Sequence, residues 1–176
     1  MSQLRILLSH EGHMRCETFP VPEQKQGFLD ALSFIPSTES KAPAQLLAVY
    51  IDTEPTRSSE FTSYKTTARA HYNAARSRRN LHDRDEPKEV VLWNERGEIT
   101  EASFRNVAFW RDGSWVTPKA SSGALPGTVQ RWMLESGKIR EGTILKDSVR
   151  NGEWVLLSNG WDVTVLGKVE KGPNDD

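Results

Sequence analysis

Short apolar runs separated by polar, turn-forming residues predict strands over most of this chain. The first two runs flank residues 10–13 and form a predicted hairpin. Asp112 and Gly113 are a strong signal for a two-residue hairpin turn between two later runs. The predicted strands cover residues 4–9, 14–19, 46–51, 89–93, 98–100, 104–111, 114–117, 138–145, 153–157 and 163–169.

Two segments have the pattern of helices. In residues 66–79, Ala68, Tyr72 and Ala75 recur on one face, which predicts an amphipathic helix. Residues 128–136 have a glycine at each end, as helices often do. The polar segments between elements are predicted loops and cover residues 20–43, 52–63, 80–88 and 120–126, the first with one helical turn near residues 28–32.

Three arginines stand in the last turns of the first predicted helix, where cations suit the helix dipole. We interpret Arg76, Arg78 and Arg79 as a solvated face rather than a ligand patch. The predicted elements are mostly strands, with two or three helices, and this content indicates an α+β domain or a barrel-like sheet with helices against it. We divide the chain into an opening hairpin and irregular loop (1–45), a main domain (46–170) and a frayed tail (171–176).

Composition and charge exclude several functional classes. The 176 residues carry a net charge of −1, with a pI of about 6.4, which gives no electrostatic case for nucleic acid or an anionic membrane. Cys16 is the only cysteine, and no Cys/His set has zinc spacing. No secretory signal or membrane-spanning apolar run is present. We therefore expect a soluble, cytoplasmic protein without a metal site.

Two ionisable residues are candidates for chemistry. Lys65 lies between a predicted loop and a predicted helix, where it could stand at the mouth of a pocket and, if partly neutral, attack an aldehyde. Glu101 ends a predicted strand, and a carboxylate beside a pyridine nitrogen keeps that nitrogen protonated. Position alone favours a solvated surface lysine and an exposed strand-end charge.

Two glycine-containing turns are candidate anion sites. Residues 123–129 open the second predicted helix, where backbone N–H groups approached closely at Gly127 can bind an anion. Residues 158–160 follow a predicted strand and offer N–H and hydroxyl donors. An ordinary loop or a plain hairpin explains either segment equally well.

The order of these segments resembles class IV (fold type IV) enzymes that depend on pyridoxal 5′-phosphate (PLP). These are the branched-chain and D-amino-acid aminotransferases and 4-amino-4-deoxychorismate lyase. The lysine segment and residues 52–55 resemble the lyase more than the aminotransferases. The matching pieces lie between residues 46 and 167 and are residues 64–69 with Tyr72, residues 90–101 with Asn106, residues 116–118 with 123–128, and residues 155–160.

The resemblance implies the large domain of fold type IV, a barrel-like β-sheet with packed helices, and a role for each matching residue. Lys65 would hold PLP as the Schiff-base lysine and later move protons. Glu101 would pair with the pyridine nitrogen, and Leu125 would pack on the ring face. Asn106 matches a position whose role we take to be structural. The phosphate would be lined by the backbones of Thr128 and Val129, together with Asn159 and Gly160.

The implied activity is that of a PLP-dependent lyase that forms 4-aminobenzoate and pyruvate for folate synthesis. One alternative is a class IV aminotransferase, which would need an acceptor 2-oxo acid. Another is a catalytically impaired single-domain relative, or an assembly partner that kept the fold. The family also suggests a homodimer with sites near the interface, acting on a small-molecule substrate.

The match departs from the family in several places. The family's smaller N-terminal domain has no counterpart here, and Leu4 aligns just after it, so the chain is either a fragment or a natural single-domain relative. That domain contributes an arginine to the phosphate, so we expect weak PLP binding unless a partner fills the gap. Val129 stands where Thr is common, Gln130 where Arg is common, and Tyr64 where lyases often have His.

Overall fold

The computed structural model describes residues 2–20, 30–36, 46–82 and 87–172. Its strands are β1 Ser2–Leu8, β2 Met14–Pro20, β3 Leu47–Ile51, β4 Lys88–Trp93, β5 Ile99–Ala102, β6 Asn106–Arg111, β7 Ser114–Pro118, β8 Arg140–Gly142, β9 Trp154–Asn159 and β10 Val163–Val169. Its α-helices are α1 Asp30–Ser33, α2 Glu60–Ser63, α3 Ala70–Arg78 and α4 Thr128–Glu135. The predicted hairpin and most of the predicted strands are confirmed.

Eight strands form one mixed sheet in the order β5-β4-β3-β10-β9-β6-β7-β8. The two ends of this sheet approach each other, because the segment after β8 bonds to the start of β5. The Ile99 N–H donates to the Ile144 carbonyl at 2.7 Å, and the Lys146 N–H donates to the Gly97 carbonyl at 2.9 Å. The sheet is therefore barrel-like, and the predicted α+β fold is confirmed.

Alternation along the strands places one core inside the curled sheet and another outside it. Val107 and Phe109 of β6 point inward, whereas Ala108 between them points outward towards Met133 of α4. The inner core consists of Val49, Val91, Ile99, Ala102, Val107, Phe109, Val116, Ile144, Val155, Leu157 and Val169. The outer core consists of Ala108, Trp115, Met133, Ile139, Leu156 and Leu166.

Helix α3 packs on the outer face of β4 through Tyr72 and Ala75. The helix predicted over residues 66–79 is real but shorter at its start, and the expectation that Ala68 lies on its buried face is wrong. The Thr66 hydroxyl accepts the Ala68 N–H at 3.2 Å, a local bond that competes with a helical turn.

The interpretation of the three arginines as a solvated face is also wrong. Arg76 is buried beside Glu89, at 3.7 Å. Arg78 donates two hydrogen bonds to the buried Asp52, at 2.8 and 2.6 Å, and Arg79 bonds to a backbone carbonyl of β3. Buried charges are tolerated only when they are paired. These contacts therefore hold α3 against the strand β3 and the residues around it.

Two other segments differ from the expectation. The predicted connection over residues 52–63 contains α2, in whose first turn the Thr62 hydroxyl accepts the Ser59 N–H at 3.1 Å. The strand predicted over residues 138–145 is only three residues long, because its later part bends to bond with the start of β5. No helix in the described ranges is long and apolar enough to cross a membrane.

Strands β1 and β2 pair only with each other, in a separate antiparallel sheet. One face of this hairpin presents Leu4, Ile6, Leu8 and Met14, which are 57%, 59%, 72% and 68% exposed. Of the loop predicted over residues 20–43, the described part includes α1, which coincides with the end of the expected helical turn. Residues 21–29 and 37–45 lie outside the described residues.

Candidate active site

The centre of the site is Glu101, in the fully buried strand β5. Its Oε1 accepts a hydrogen bond from the Tyr72 hydroxyl at 2.7 Å and one from the Leu125 N–H at 3.3 Å. Burial raises the pKa of Glu101 to about 7, although these two donors and the nearby charges of Lys65 and Arg69 favour the ionised form. An exposed strand-end charge, which position alone favoured, is therefore ruled out.

Lys65 is exposed, and its charge acts on the buried Glu101. It stands on a non-helical link between α2 and α3. The link begins where Tyr64, in an extended conformation, closes α2 by donating its N–H to the Glu60 carbonyl. The lysine backbone is thus held between two anchored helices, while its amine lies near the buried carboxyl group.

The loop before α4 is fastened to β6 by Asn106, whose side-chain amide donates to the Leu125 carbonyl at 2.7 Å. A Cβ at Gly127 would lie 2.0 Å from Asn106 Oδ1, so this close approach requires glycine. Helix α4 then begins at Thr128 with backbone N–H groups that have no helical acceptor. This geometry supports a structural role for Asn106 and presents donors at Thr128 and Val129.

The second candidate anion segment lies at the same end of the sheet. Ser158 of β9 pairs with Asn106 of β6, which places the two loops side by side. The Asn159 side chain closes a turn by accepting the Asp162 N–H at 2.6 Å, and Gly160 within this turn is exposed. Because the Asn159 side chain is engaged in the turn, this segment would bind a phosphate through its backbone N–H groups.

A charged network beneath this turn was not predicted from the sequence. Arg105 donates to the Asp162 carboxylate at 2.9 Å and to the fully buried Glu89 at 2.8 Å. Glu89 also accepts a hydrogen bond from the Ser103 hydroxyl. The network ties the candidate phosphate turn to β4. Nothing in the local sequence pattern around Arg105 indicates that its two acidic partners lie so far along the chain.

Tyr72 and Arg69 were also missed as neighbours of Glu101. The Arg69 guanidinium carbon lies 4.7 Å from the ring centroids of both Tyr72 and Phe104, and Arg69 donates to the Ser103 carbonyl at 2.5 Å. Two sequence signals included these residues: the helical spacing placed Tyr72 on the buried face of α3, and residues 64–69 with Tyr72 formed one of the pieces that resemble the family. The structure thus brings Lys65, Glu101 and Leu125 together, with two unpredicted side chains behind them.

A cavity of about 430 Å³ lies on the other side of α3, between this helix and residues 55–61. His71 and Phe61 line it, whereas Lys65 and Glu101 do not. It is therefore distinct from the candidate active site. The described residues contain no group of three or more His, Cys, Asp or Glu side chains that could hold a metal ion.

A barrel-like sheet with a buried glutamate, a lysine near it on the link between α2 and α3, and two backbone turns at the same end of the sheet define a fold type IV large domain. Comparison with known families agrees with this assignment, because the sequence model of the family described as amino-transferase class IV matches residues 2–165. The chain belongs to this family.

Curated relatives that this chain matches are named as lyases. A Schizosaccharomyces pombe protein named "Putative aminodeoxychorismate lyase" is 34% identical over 166 residues, which cover 92% of this chain and 64% of the relative. The Saccharomyces cerevisiae "Aminodeoxychorismate lyase" is 31% identical, and the match covers 96% of this chain and 51% of the relative. The chain therefore spans about half to two thirds of the length of these relatives.

A solved structure shares the fold. The crystal structure titled as a "Putative amino-acid aminotransferase" from Mesorhizobium loti superposes with a TM-score of 0.71 at 24% identity. The match covers 96% of this chain and 72% of that chain. At this identity the likeness establishes the architecture, and the chemistry has to be argued from the site.

Proposed function

We propose that this chain provides the cofactor-binding part of a PLP-dependent lyase that acts on 4-amino-4-deoxychorismate and forms 4-aminobenzoate and pyruvate. The observation that carries the proposal is the buried carboxyl group of Glu101, which accepts the Leu125 N–H and lies close enough to Lys65 to be affected by its charge. The names of these two relatives support the lyase over other members of the family. The proposed reaction belongs to folate synthesis. A cytoplasmic location and a homodimeric assembly stay predictions.

The residues present fit PLP. One oxygen of the Glu101 carboxyl already accepts two hydrogen bonds, and the other is left to receive a ring N–H. The backbone N–H groups at the start of α4, preceded by a glycine, suit a phosphate. When bound, PLP supplies an electron-accepting ring that stabilises negative charge developing on the substrate carbon beside the amine nitrogen.

Each side chain then has a defined task. Lys65 Nζ would hold the cofactor aldehyde until the substrate amine takes its place, and would afterwards move a proton to or from the reacting carbon. Glu101, in its ionised form, would accept the ring N–H, whose positive charge favours that form. Leu125 would cover one face of the ring and exclude water from it. The N–H groups of Thr128, Val129 and Gly160 would orient the phosphate.

The first experiment tests whether Lys65 binds the cofactor. Purified protein is incubated with PLP, reduced with borohydride and digested, and the modified lysine is found by mass spectrometry. We expect a visible absorption band before reduction and a phosphopyridoxyl group on Lys65, with both lost in Lys65→Ala. Lys171→Ala is the matched control, because Lys171 is an exposed lysine just after β10, at the opposite end of that strand from the site. Equal spectra from wild type and Lys65→Ala would refute PLP binding at this site.

A second experiment separates the lyase from an aminotransferase. Aminodeoxychorismate is supplied without any 2-oxo acid, and 4-aminobenzoate and pyruvate are measured. The lyase forms both products in equal amounts under these conditions. Labelling of Lys65 without product formation, followed by amino-group transfer once an amino acid donor and a 2-oxo acid acceptor are added, would instead establish an aminotransferase. Labelling with neither activity would reject both enzyme assignments for this chain.

A further inference from the structure

The contact between Tyr72 and Glu101 joins helix α3 to strand β5 inside the site. The hydroxyl of Tyr72 donates to Glu101 Oε1 at 2.7 Å, and both side chains are buried. Burial, followed by the charge of Glu101, raises the pKa of Tyr72, so the phenol stays protonated and remains a donor at every pH at which the protein is used. The direction of this hydrogen bond is therefore fixed.

The two oxygens of Glu101 are in different environments. Oε1 accepts both the Tyr72 hydroxyl and the Leu125 N–H, whereas no described residue donates to Oε2. In the described part of the chain, the buried side-chain atoms without a partner are His71 Nε2, Trp115 Nε1 and Ser122 Oγ. Glu101 Oε2 is not among them, so it keeps contact with solvent. Oε1 is thus held by two donors, whereas Oε2 keeps a small contact with solvent in a residue that is only 5% exposed.

The groups around Glu101 differ in how firmly they are held. Lys65 is exposed, and in the proposed reaction its amine must move and change charge. Arg69 is held between two aromatic rings and donates to a backbone carbonyl. The Leu125 N–H belongs to the loop before α4. Tyr72 is the one side chain of the described residues that donates a hydrogen bond directly to the carboxyl group, from within the buried face of an anchored helix.

We propose that Tyr72 is a positioning residue for Glu101: its hydroxyl fixes Oε1, turns Oε2 towards the site and favours the ionised form of the carboxyl group that accepts a proton. The part that concerns the cofactor rests on the proposed function, since Oε2 is the atom that would meet the pyridine N–H. The effect on Glu101 itself belongs to the cofactor-free protein and can be measured there.

The test follows the ionisation of Glu101 by NMR in cofactor-free protein labelled with ¹³C at the glutamate carboxyl carbon. Glu101→Gln assigns the resonance. In Tyr72→Phe we expect Glu101 to become a weaker acid by about tenfold, the equivalent of one charge-assisted hydrogen bond. Tyr50→Phe is the matched control, because it removes a tyrosine hydroxyl that bonds a different carboxylate, Glu170, at 3.2 Å. It also lies against the same hydrophobic cluster, and it should leave the titration of Glu101 unchanged.

A second variant protects the test against a folding defect in Tyr72→Phe. 3-Fluorotyrosine placed at position 72 keeps the ring and makes the hydroxyl a stronger donor, so Glu101 should become a stronger acid. Opposite shifts in the two variants support positioning through the hydroxyl. An unchanged titration in both would overturn it, because a tyrosine of α3 that only packs against the sheet does not alter the proton affinity of Glu101.

The cofactor readout separates the two proposals. With PLP present, we expect Tyr72→Phe to retain the cofactor about tenfold less tightly while its modified residue is still Lys65. If wild type labels at Lys65 and Tyr72→Phe leaves both the Glu101 titration and PLP retention unchanged, the positioning role fails and the proposed function stands. If the titration shifts but wild type does not label, the proposed function fails and the effect of Tyr72 on Glu101 stands.

Discussion

Replacing Glu101 with glutamine should remove a pH dependence from the stability of the cofactor-free protein. Burial raises the pKa of Glu101 to about 7 in the folded protein, from an ordinary value of 4.5. The folded state therefore binds this proton more tightly than the unfolded state, and stability falls as pH rises between the two values. The stabilising contribution of this proton is fully present below pH 4.5 and is lost as the pH rises past about 7.

The size of the effect follows from the two pKa values. Each tenfold difference in proton affinity is worth about 1.4 kcal/mol, so the free energy of unfolding should fall by roughly 3 kcal/mol across the window. Glutamine has no charge to bury and can still accept the hydrogen bonds of Tyr72 and Leu125 through its carbonyl oxygen. Glu101→Gln should therefore lack this loss and become the more stable protein at neutral pH.

The assay is denaturant unfolding of both proteins at intervals from about pH 4 to about pH 8, because other titrating groups cancel in the difference. Glu98→Gln is the control: hydrogen bonds from Asn94 and Arg96 lower the pKa of Glu98, so its contribution is gained as pH rises from the acid side. The two differences should thus have opposite signs. A constant difference between wild type and Glu101→Gln would refute the burial of an ionisable carboxyl group at this position.

Two further predictions concern the supports of the site. Gly127→Ala should displace Asn106 and break its hydrogen bond to the loop, which should lower the free energy of unfolding by about 1 to 3 kcal/mol in thermal or denaturant unfolding. The control Gly160→Ala has open space around the new methyl group, so its free energy of unfolding should stay within about 0.5 kcal/mol of wild type. Equal effects of the two substitutions would contradict the steric argument. Arg105→Met should cost about 3 to 5 kcal/mol, because it removes the cation shared by two buried carboxylates, Glu89 and Asp162, and a cost under about 1 kcal/mol would contradict that account.

The parts of the fold set by local pattern were predicted from the sequence. The apolar run at residues 46–51 forms β3, and Asp112 and Gly113 form the expected tight turn, with positive φ angles of 51° and 73°. Helix α4 begins after Gly127, as its flanking glycines indicated, and ends at Glu135, two residues before Gly137, which has a φ of 67°. In each case the determining residues are neighbours in the chain, so the signal is contained in a short window.

What was missed depends on contacts between distant segments. The arginines of α3 look like a charged surface until Asp52 and Glu89 are placed opposite them. Glu101 likewise looks like an exposed charge at the end of a strand until Tyr72 and the loop at Leu125 cover it. Its importance was inferred from a family resemblance, and position along the chain indicated the opposite. No local pattern encodes the burial of a polar group by segments remote in sequence.

The solvent-facing leucines and isoleucine of the β1–β2 hairpin bear on how such sequences drift over evolution. Leu4, Ile6 and Leu8 lie on the open face, so exchanging them for serine or threonine would cost the described fold little. Selection for folding alone would therefore allow polar residues to accumulate at these three positions. If orthologous sequences keep them apolar, the constraint must come from another surface that covers this face in the working enzyme.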